Sequence, residues 1–320
     1  MKQVSILITH KAIIAAIGNA RHLFNTVNDF LKQSGKAPMF NISLVGLQKK
    51  MKLNNGTFTV QADFTTDELK KTDLIIIPPM SGDMENSILL NKEYIPWINR
   101  QFKQGAEVAS LCLGSFLLAE TGLLDGAQCS THWQSCNEFR KRFPEVQLVD
   151  EKIITDYNGI YTSGGSVSYL NLLVYLIQKY TDRETAIRMS KYFEIERNRE
   201  SQSVFMVFEG SKLHDDEAIL TVQDHIESHF VEKLNIDELS ELAHLSRRTF
   251  QRRFKQATHF TVTDYIQKIR IEAAKKLLEE NKLSINDIMY QSGYTDAKAF
   301  RYVFNKVSGV SPLAYRRKFR

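Results

Sequence analysis

The chain has 320 residues, about two domains' worth, and 43% apolar with 25% charged residues is a balance that excludes disordered and collagen-like chains. Its longest uninterrupted apolar run, LIIIPPM from Leu74 to Met80, is far below the roughly 18 to 20 residues a membrane-spanning helix needs. The net charge of +5 divides unevenly: Met1 to His244 holds 25 Lys and Arg against 31 Asp and Glu, whereas Leu245 to Arg320 holds 17 against 6. An acidic body with a basic tail points to a polyanionic partner, nucleic acid first. The start, MKQVSILITHKAII, breaks its apolar run with His10 and Lys11 and offers no small-residue cleavage site, so a cytoplasmic protein with no membrane partner is expected. Three cysteines, Cys112, Cys129 and Cys136, are odd in number and argue for reduced thiols rather than a disulfide framework.

Up to about residue 205, short β-rich runs alternate with helical patterns. VSILIT (4–9), FNISLVGL (40–47), DLIIIPP (73–79), EVASLC (107–112) and GIYTSGG (159–165) read as buried strands. Amphipathic stretches at 83–103, 115–123, 134–143 and 166–180 are long enough to cross over a sheet. The alternation predicts an α/β domain built on a mainly parallel sheet with helices on both faces. Within GAEVASLCLGSFLLAETGLLDG (105–126) a strand ends at Cys112 and a helix begins near Ser115, with Ser110 and Gly114 two residues to either side. Small residues there permit the sharp strand-to-helix turn of a nucleophile elbow, and a helix N-terminus favours thiolate. Catalysis would further need a base within reach and a group to orient it.

Each feature of this region has a plainer reading beside the functional one. Cys112 is equally a small buried residue that the turn tolerates, and His132 beside Trp133 is equally a packed pair. Cys129, His132 and Cys136 have a C-x2-H-x3-C spacing but no fourth ligand nearby, so no metal is expected. Gly164 and Gly165 suit an anion cradle at a helix start, and equally a turn with unusual backbone angles.

From Glu217 onward the strand runs vanish, and the acidic EGSKLHDDE (209–217) reads as a linker. The predicted organisation is an α/β domain at 1–208, a linker at 209–216 and an all-helical domain at 217–320. Residues fifty apart in the tail match in type: Asp237 with Asp287, Leu239 with Met289, Phe250 with Phe300, Phe254 with Phe304, Phe260 with Val310, Tyr265 with Tyr315. Two tandem modules follow, at about 236–257 and 285–307, each a helix, a tight turn and a second helix. At 100° per residue, Phe250, Phe254 and Ala257 share one face of the first module's second helix, with Arg248, Gln251, Arg252 and Lys255 opposite. In the second module Phe300, Phe304 and Val307 point inward, and Lys298, Arg301, Tyr302 and Asn305 outward. An aromatic root with a polar, mostly cationic outer face is the format of a DNA recognition helix. Arg247, Arg248, Gln251, Arg252, Lys255, Lys298, Arg301 and Tyr302 are the candidate DNA-contacting residues. A helical bundle with solvated cations is the alternative, and duplication of the same polar face weighs against it.

LAHLSRRTFQRRFKQATHFTVTDYIQKIRIEAAKKLL and INDIMYQSGYTDAKAFRYVFNKVSGVSPLAYR resemble the DNA-binding domain of the AraC/XylS family. The resemblance implies two helix-turn-helix units joined by a longer helix, about 262–280, with recognition helices in successive major grooves of double-stranded DNA. Arg248, Gln251 and Arg252 would read one groove, and Lys298 and Arg301 the other. Tyr302 stands where an Arg is common in the family.

The front domain, with LIIIPPM, ASLCLGSFLLAETGLLDG, CSTHW and TSGG in that order, resembles the class I glutamine amidotransferase-like superfamily in its PfpI-type branch, a flavodoxin-like sandwich. Joined to the tail, the arrangement is similar to GlxA-type regulators. Enzymes of that superfamily place a His directly after the elbow Cys, where this chain has Leu113. They also carry a Glu early in the first helix, whereas IGNARHLF (17–24) holds no acid. With two of three catalytic groups missing, a sensing domain without catalysis or cofactor is expected. Its effector pocket would lie at the carboxyl ends of the strands, near Cys112, Leu113, His132, Ser163, Gly164 and Gly165. The resemblance implies a transcriptional activator that binds promoter DNA and recruits RNA polymerase in response to a small polar metabolite, amino acids or amines first, with pairing through the α/β domain. The alternative is a thiol-dependent amidase with a DNA-binding appendage, for which His132 is the one plausible base.

Overall fold

The computed structural model describes residues 1–197, 201–280 and 282–320. The chain divides into two compact units, Met1–Gln202 and Ser203–Arg320. Among the described residues, no helix is long and apolar enough to cross a membrane.

The first unit is built on a seven-stranded sheet in the order Ile154–Tyr157, Ile160–Ser163, Glu107–Ser110, Leu74–Ile77, Lys2–Leu7, Phe40–Gly46 and Phe64–Thr65. Every pairing is parallel except the hairpin of the first two strands. Parallel strands are buried on both faces, and side chains alternate accordingly. Val4, Ile6, Leu74, Ile76 and Ala109 face one core, with Ala16, Ala20, Leu23 and Phe24 of the helix Ile14–Gln33 and Leu172, Leu173 and Leu176 of the helix Tyr169–Tyr180. Leu7, Ile75, Ile77 and Val108 face the other, with Trp97 and Ile98 of the helix Tyr94–Lys103, Phe116 of Ser115–Ala119 and Phe139 of Cys136–Arg142. The expected α/β sandwich is therefore what the chain forms. After Lys2–Leu7 the sheet grows outward to one side, and it returns to the other at Leu74–Ile77. The carboxyl ends of those two strands and of Glu107–Ser110 consequently open on one crevice.

Some elements differ from expectation. The stretch 83–103 is two helices, Met84–Asn91 and Tyr94–Lys103. Asn91 is fully buried, accepting the His10 N–H at 2.7 Å and donating to the His10 carbonyl at 3.0 Å, so the side chain that ends the first helix is tied to the loop after the first strand. The helix expected at 115–123 stops at Ala119, and Gly122 adopts φ +76° three residues on.

The second unit is all helical: Glu217–His229, Ile236–Leu242, Arg247–Thr258, Val262–Glu280, Ile285–Gln291, Ala297–Ser308 and Pro312–Phe319. It holds two cores, one around Ile219, Val222, Phe250, Phe254 and Tyr265, the other around Leu278, Ile288, Phe300, Phe304 and Tyr315. The helix Val262–Glu280 feeds both, with Val262 and Tyr265 in the first and Ile271, Ala274 and Leu278 in the second. The segment 209–216 belongs to this unit: the Ser211 carbonyl accepts from the buried Gln223 at 3.0 Å, and Asp216 caps the helix Glu217–His229. Its composition is that of a linker because its partners lie farther along the chain.

The elbow depends on Gly114. A Cβ there would stand 2.7 Å from the Ile77 carbonyl oxygen and 2.8 Å from that of Pro78, which is backbone on backbone and has no flexible side chain to yield. Gly114→Ala is expected to destabilise the protein by about 1 to 3 kcal/mol through overpacking. Urea denaturation measures this, and a midpoint equal to the parent's would contradict it.

Candidate effector pocket and nucleic-acid interface

At the end of Glu107–Ser110 the chain turns through Cys112 in the left-handed region, φ +52°, a conformation that costs a non-glycine residue roughly 1 to 3 kcal/mol. The Cys112 N–H donates to Ser163 Oγ at 3.2 Å. This bond ties the elbow to the end of the neighbouring strand Ile160–Ser163. The thiol itself is buried, and desolvation pushes it up to about 12, with the Leu113 N–H pulling slightly the other way. A helix N-terminus lowers a thiol pKa and burial in apolar surroundings raises it, and here burial wins. The Cys112 side chain makes no hydrogen bond to a histidine or carboxylate among the described residues.

His132 lies outside any such pairing. Its Nδ1 accepts the Gln134 N–H at 3.3 Å, and its ring stacks on Trp133 with centroids 5.5 Å apart. Burial lowers its pKa, so it is the neutral imidazole that caps this turn. Leu113 packs against the apolar core. The Cys129 and Cys136 thiols are buried, with hydrogen bonds to the Ser130 and His132 carbonyls at 3.5 and 3.7 Å.

The Gly164–Gly165 turn has a steric cause. A Cβ on Gly164 would meet Gln202 Nε2 at 2.5 Å and Ser130 Oγ at 2.6 Å, and Gly165 has φ +71° with Ser168 Oγ 2.7 Å from where its Cβ would be. Gln202 is fully buried, its amide donating to the Thr131 carbonyl at 3.0 Å and to the Asp150 carbonyl, while its Oε1 has no partner among the described residues.

Two further residues, Tyr169 and Asn19, are hydrogen-bonded to each other near the elbow. Tyr169 is buried, and its hydroxyl accepts from Asn19 Nδ2 at 2.8 Å. Burial raises the phenol, the Asn19 bond lowers it, and the nearby Cys112 thiol raises it again. Asn19 sits in the stretch IGNARHLF, which holds no acid, and its partner lies 150 residues away.

In the helical unit, the first recognition helix, Arg247–Thr258, begins at the Ser246 cap and ends at His259 in the left-handed region. Phe250 and Phe254 are buried at its root, and Arg247, Arg248, Gln251, Arg252 and Lys255 are exposed. Arg247 reaches Asp237 at 3.1 Å in a pair more than half exposed on both sides, which is worth about 0 to 1 kcal/mol and yields readily to a phosphate. Arg253 differs, because it grips Asp216 through two bonds at 2.9 and 2.6 Å and holds that carboxyl below its usual range. The second recognition helix, Ala297–Ser308, is capped by Asp296 and closed by Gly309 at φ +75°. Phe300, Val303 and Phe304 are buried, while Lys298, Arg301, Tyr302 and Asn305 are exposed. Tyr302 is 72% exposed, which leaves a large aromatic in water. The fifty-residue repeat holds for these helices and their caps, Ser246 and Asp296. It falls to forty-nine for the preceding pair, Ile236–Leu242 and Ile285–Gln291, because the second turn is one residue longer. The left-handed residues follow the shorter offset, His244 at φ +53° and Gly293 at φ +82°.

The sequence profile of the DJ-1/PfpI family matches residues 9–179, and a helix-turn-helix domain profile matches residues 239–318. The chain belongs to the DJ-1/PfpI family, and an AraC-type helix-turn-helix domain follows that family's domain. It is 27% identical to the HTH-type transcriptional regulator GbdR of Pseudomonas aeruginosa over 254 residues, 79% of this chain and 68% of that one. It is 25% identical to the HTH-type transcriptional regulator GlxA of Rhizobium meliloti, over 69% of this chain and 68% of that one. The crystal structure of a Vibrio parahaemolyticus protein described as a candidate transcriptional regulator has a similar fold, with TM-score 0.53 and 20% identity over 60% of this chain and 98% of the other.

A thiol near 12 carries roughly a thousandfold less thiolate at neutral pH than an ordinary cysteine. The thiolate fraction grows only as pH climbs toward that value. Iodoacetamide at pH 7.5 is therefore expected to alkylate Cys112 at least about 100-fold more slowly than a free cysteine, read by mass spectrometry of its peptide. Labelling at the free-thiol rate would show an activated nucleophile and revive the amidase alternative.

Proposed function

We propose that the protein is a ligand-responsive transcriptional activator: the tail binds promoter DNA and recruits RNA polymerase, the front unit binds a small polar metabolite in the elbow crevice, and two copies pair through the front unit. The observation that carries the reading is the repeated recognition helix, rooted by buried phenylalanines with exposed polar and cationic side chains outward. It is supported by an elbow whose thiol is buried and lacks a bonded base among the described residues, which suits binding better than catalysis. Arg248, Gln251 and Arg252 are assigned to base edges of one major groove, Lys298 and Arg301 to the next, and Arg247 and Lys255 to phosphates. Tyr302 contributes an aromatic face in place of a cation.

For the effector, Cys112, Ser163, Tyr169 and Asn19 line the crevice in this reading. Tyr169 donates its hydroxyl proton to none of the described residues, and Asn19 Oδ1 likewise accepts from none. A ligand that accepts from the phenol and donates to the amide oxygen fits both, which keeps amino acids and amino-acid-like amines first. Leu113 supplies apolar lining, and the Gly164–Gly165 turn shapes the rim. His132, occupied by Trp133 and Gln134, is removed from the contact set. The protein acts in the cytoplasm, where its DNA is.

The test is recovery of bound genomic DNA by the full-length protein at physiological salt, followed by Arg252→Ala on the recovered site. The variant is expected to lose about 1 to 3 kcal/mol on that site and to relax preference at one base, with random-sequence affinity nearly unchanged. Equal affinities of parent and variant for both duplexes would overturn the recognition-helix assignment.

A further inference from the structure

The residues Ser203–Phe208 lie outside both helix-turn-helix modules, yet they are anchored in both. Val204 is buried in the second module's core, and Phe205 meets Phe319 edge-on with ring centroids 5.6 Å apart. Three residues beyond, Phe208 packs against Phe260 and Tyr265 in the first module's core at 5.5 and 5.3 Å. Between these anchors the main chain is held by the helix Val262–Glu280 that joins the modules. Lys275 Nζ donates to the Met206 carbonyl at 2.7 Å, and Glu272 Oε2 accepts the Phe208 N–H at 3.2 Å. Lys275 and Glu272 also meet each other at 3.3 Å, and Lys275 is only 2% exposed. The segment thus runs antiparallel to the joining helix, with Phe208 near its start and Val204 near its end.

A buried ion pair is a poor source of net stability, because desolvating two charges offsets most of their attraction. What such a pair does is fix register, since each charge left without its partners is costly. Here the partners are two backbone groups of the leading segment. We propose that Lys275 and Glu272 are positioning residues for DNA recognition: they lock Ser203–Phe208 alongside the joining helix as a second tie between the modules, and that tie sets the half-site spacing the two recognition helices accept.

This inference rests on the regulator reading.

The test uses the full-length protein. Its site is first selected from a randomised duplex pool, then remade with two base pairs inserted between the halves, or with one half scrambled. Affinities are read by fluorescence anisotropy at one salt concentration. Two base pairs turn the second half-site by about 70°, so the parent is expected to lose roughly tenfold or more on the insertion. The double variant Glu272→Gln with Lys275→Met, and separately Phe208→Ala, are each expected to bind the half-scrambled duplex within about twofold of the parent. The same variants are expected to pay an insertion penalty of only roughly threefold or less, while Lys275→Arg keeps the parent's penalty. If a folded variant retains the full penalty, or loses equally on every duplex, the positioning role is refuted. If the double variant does not fold, Phe208→Ala decides. A parent that selects no site removes the DNA-binding reading and this proposal with it, an outcome distinct from a selected site whose spacing penalty the variants leave intact.

Discussion

A parallel sheet has no face it can leave in water, so the chain must cross back over it after almost every strand. In the first unit that constraint produces the layers of helices on both faces, and it also gathers the carboxyl ends of the strands Lys2–Leu7, Leu74–Ile77 and Glu107–Ser110 at one rim. The crevice is thus a consequence of topology before any side chain is considered. Cys112 is held at φ +52° because the chain must leave its strand and enter a helix with the Gly114 backbone pressed on the carbonyls of Ile77 and Pro78. The strain at the elbow is a cost of that crossing.

The same elbow in a different electrostatic setting would be a nucleophile. The setting here has Leu113 directly after Cys112, no acid within 17–24, and burial that raises the thiol pKa. Asn19 and Tyr169 place two uncharged polar groups beside each other near the elbow. An α/β fold supplies the place, and the side chains at the rim decide whether it reacts.

In the second unit the aromatic roots do comparable work. Phe250 and Phe254, and Phe300 and Phe304, fix the rotation of each recognition helix about its axis, and the rotation presents the cations outward. Arg253 shows the limit of reading charge as function: it lies among exposed arginines, yet it is committed to Asp216 and closes the first module onto the segment before it. The joining helix, Val262–Glu280, places residues in both cores.

Local periodicity was enough to determine the strands, the recognition helices and their inner and outer faces, because those depend on spacings of two to four residues. It did not reveal the bond between Asn19 and Tyr169, the buried Gln202 that forces the Gly164–Gly165 turn, or the commitment of His132 to Gln134. Nor did it place 203–208, expected in the α/β domain, and 209–216, expected as a linker, in the helical unit, since the distant partners of a boundary segment leave no local pattern. The one-residue shift between the two repeats was masked by strong matches in the second helices. A sequence carries the period of each element in itself, whereas which buried polar groups meet is settled only when the chain closes on itself, since a hydrogen bond between residues 150 apart leaves no local pattern.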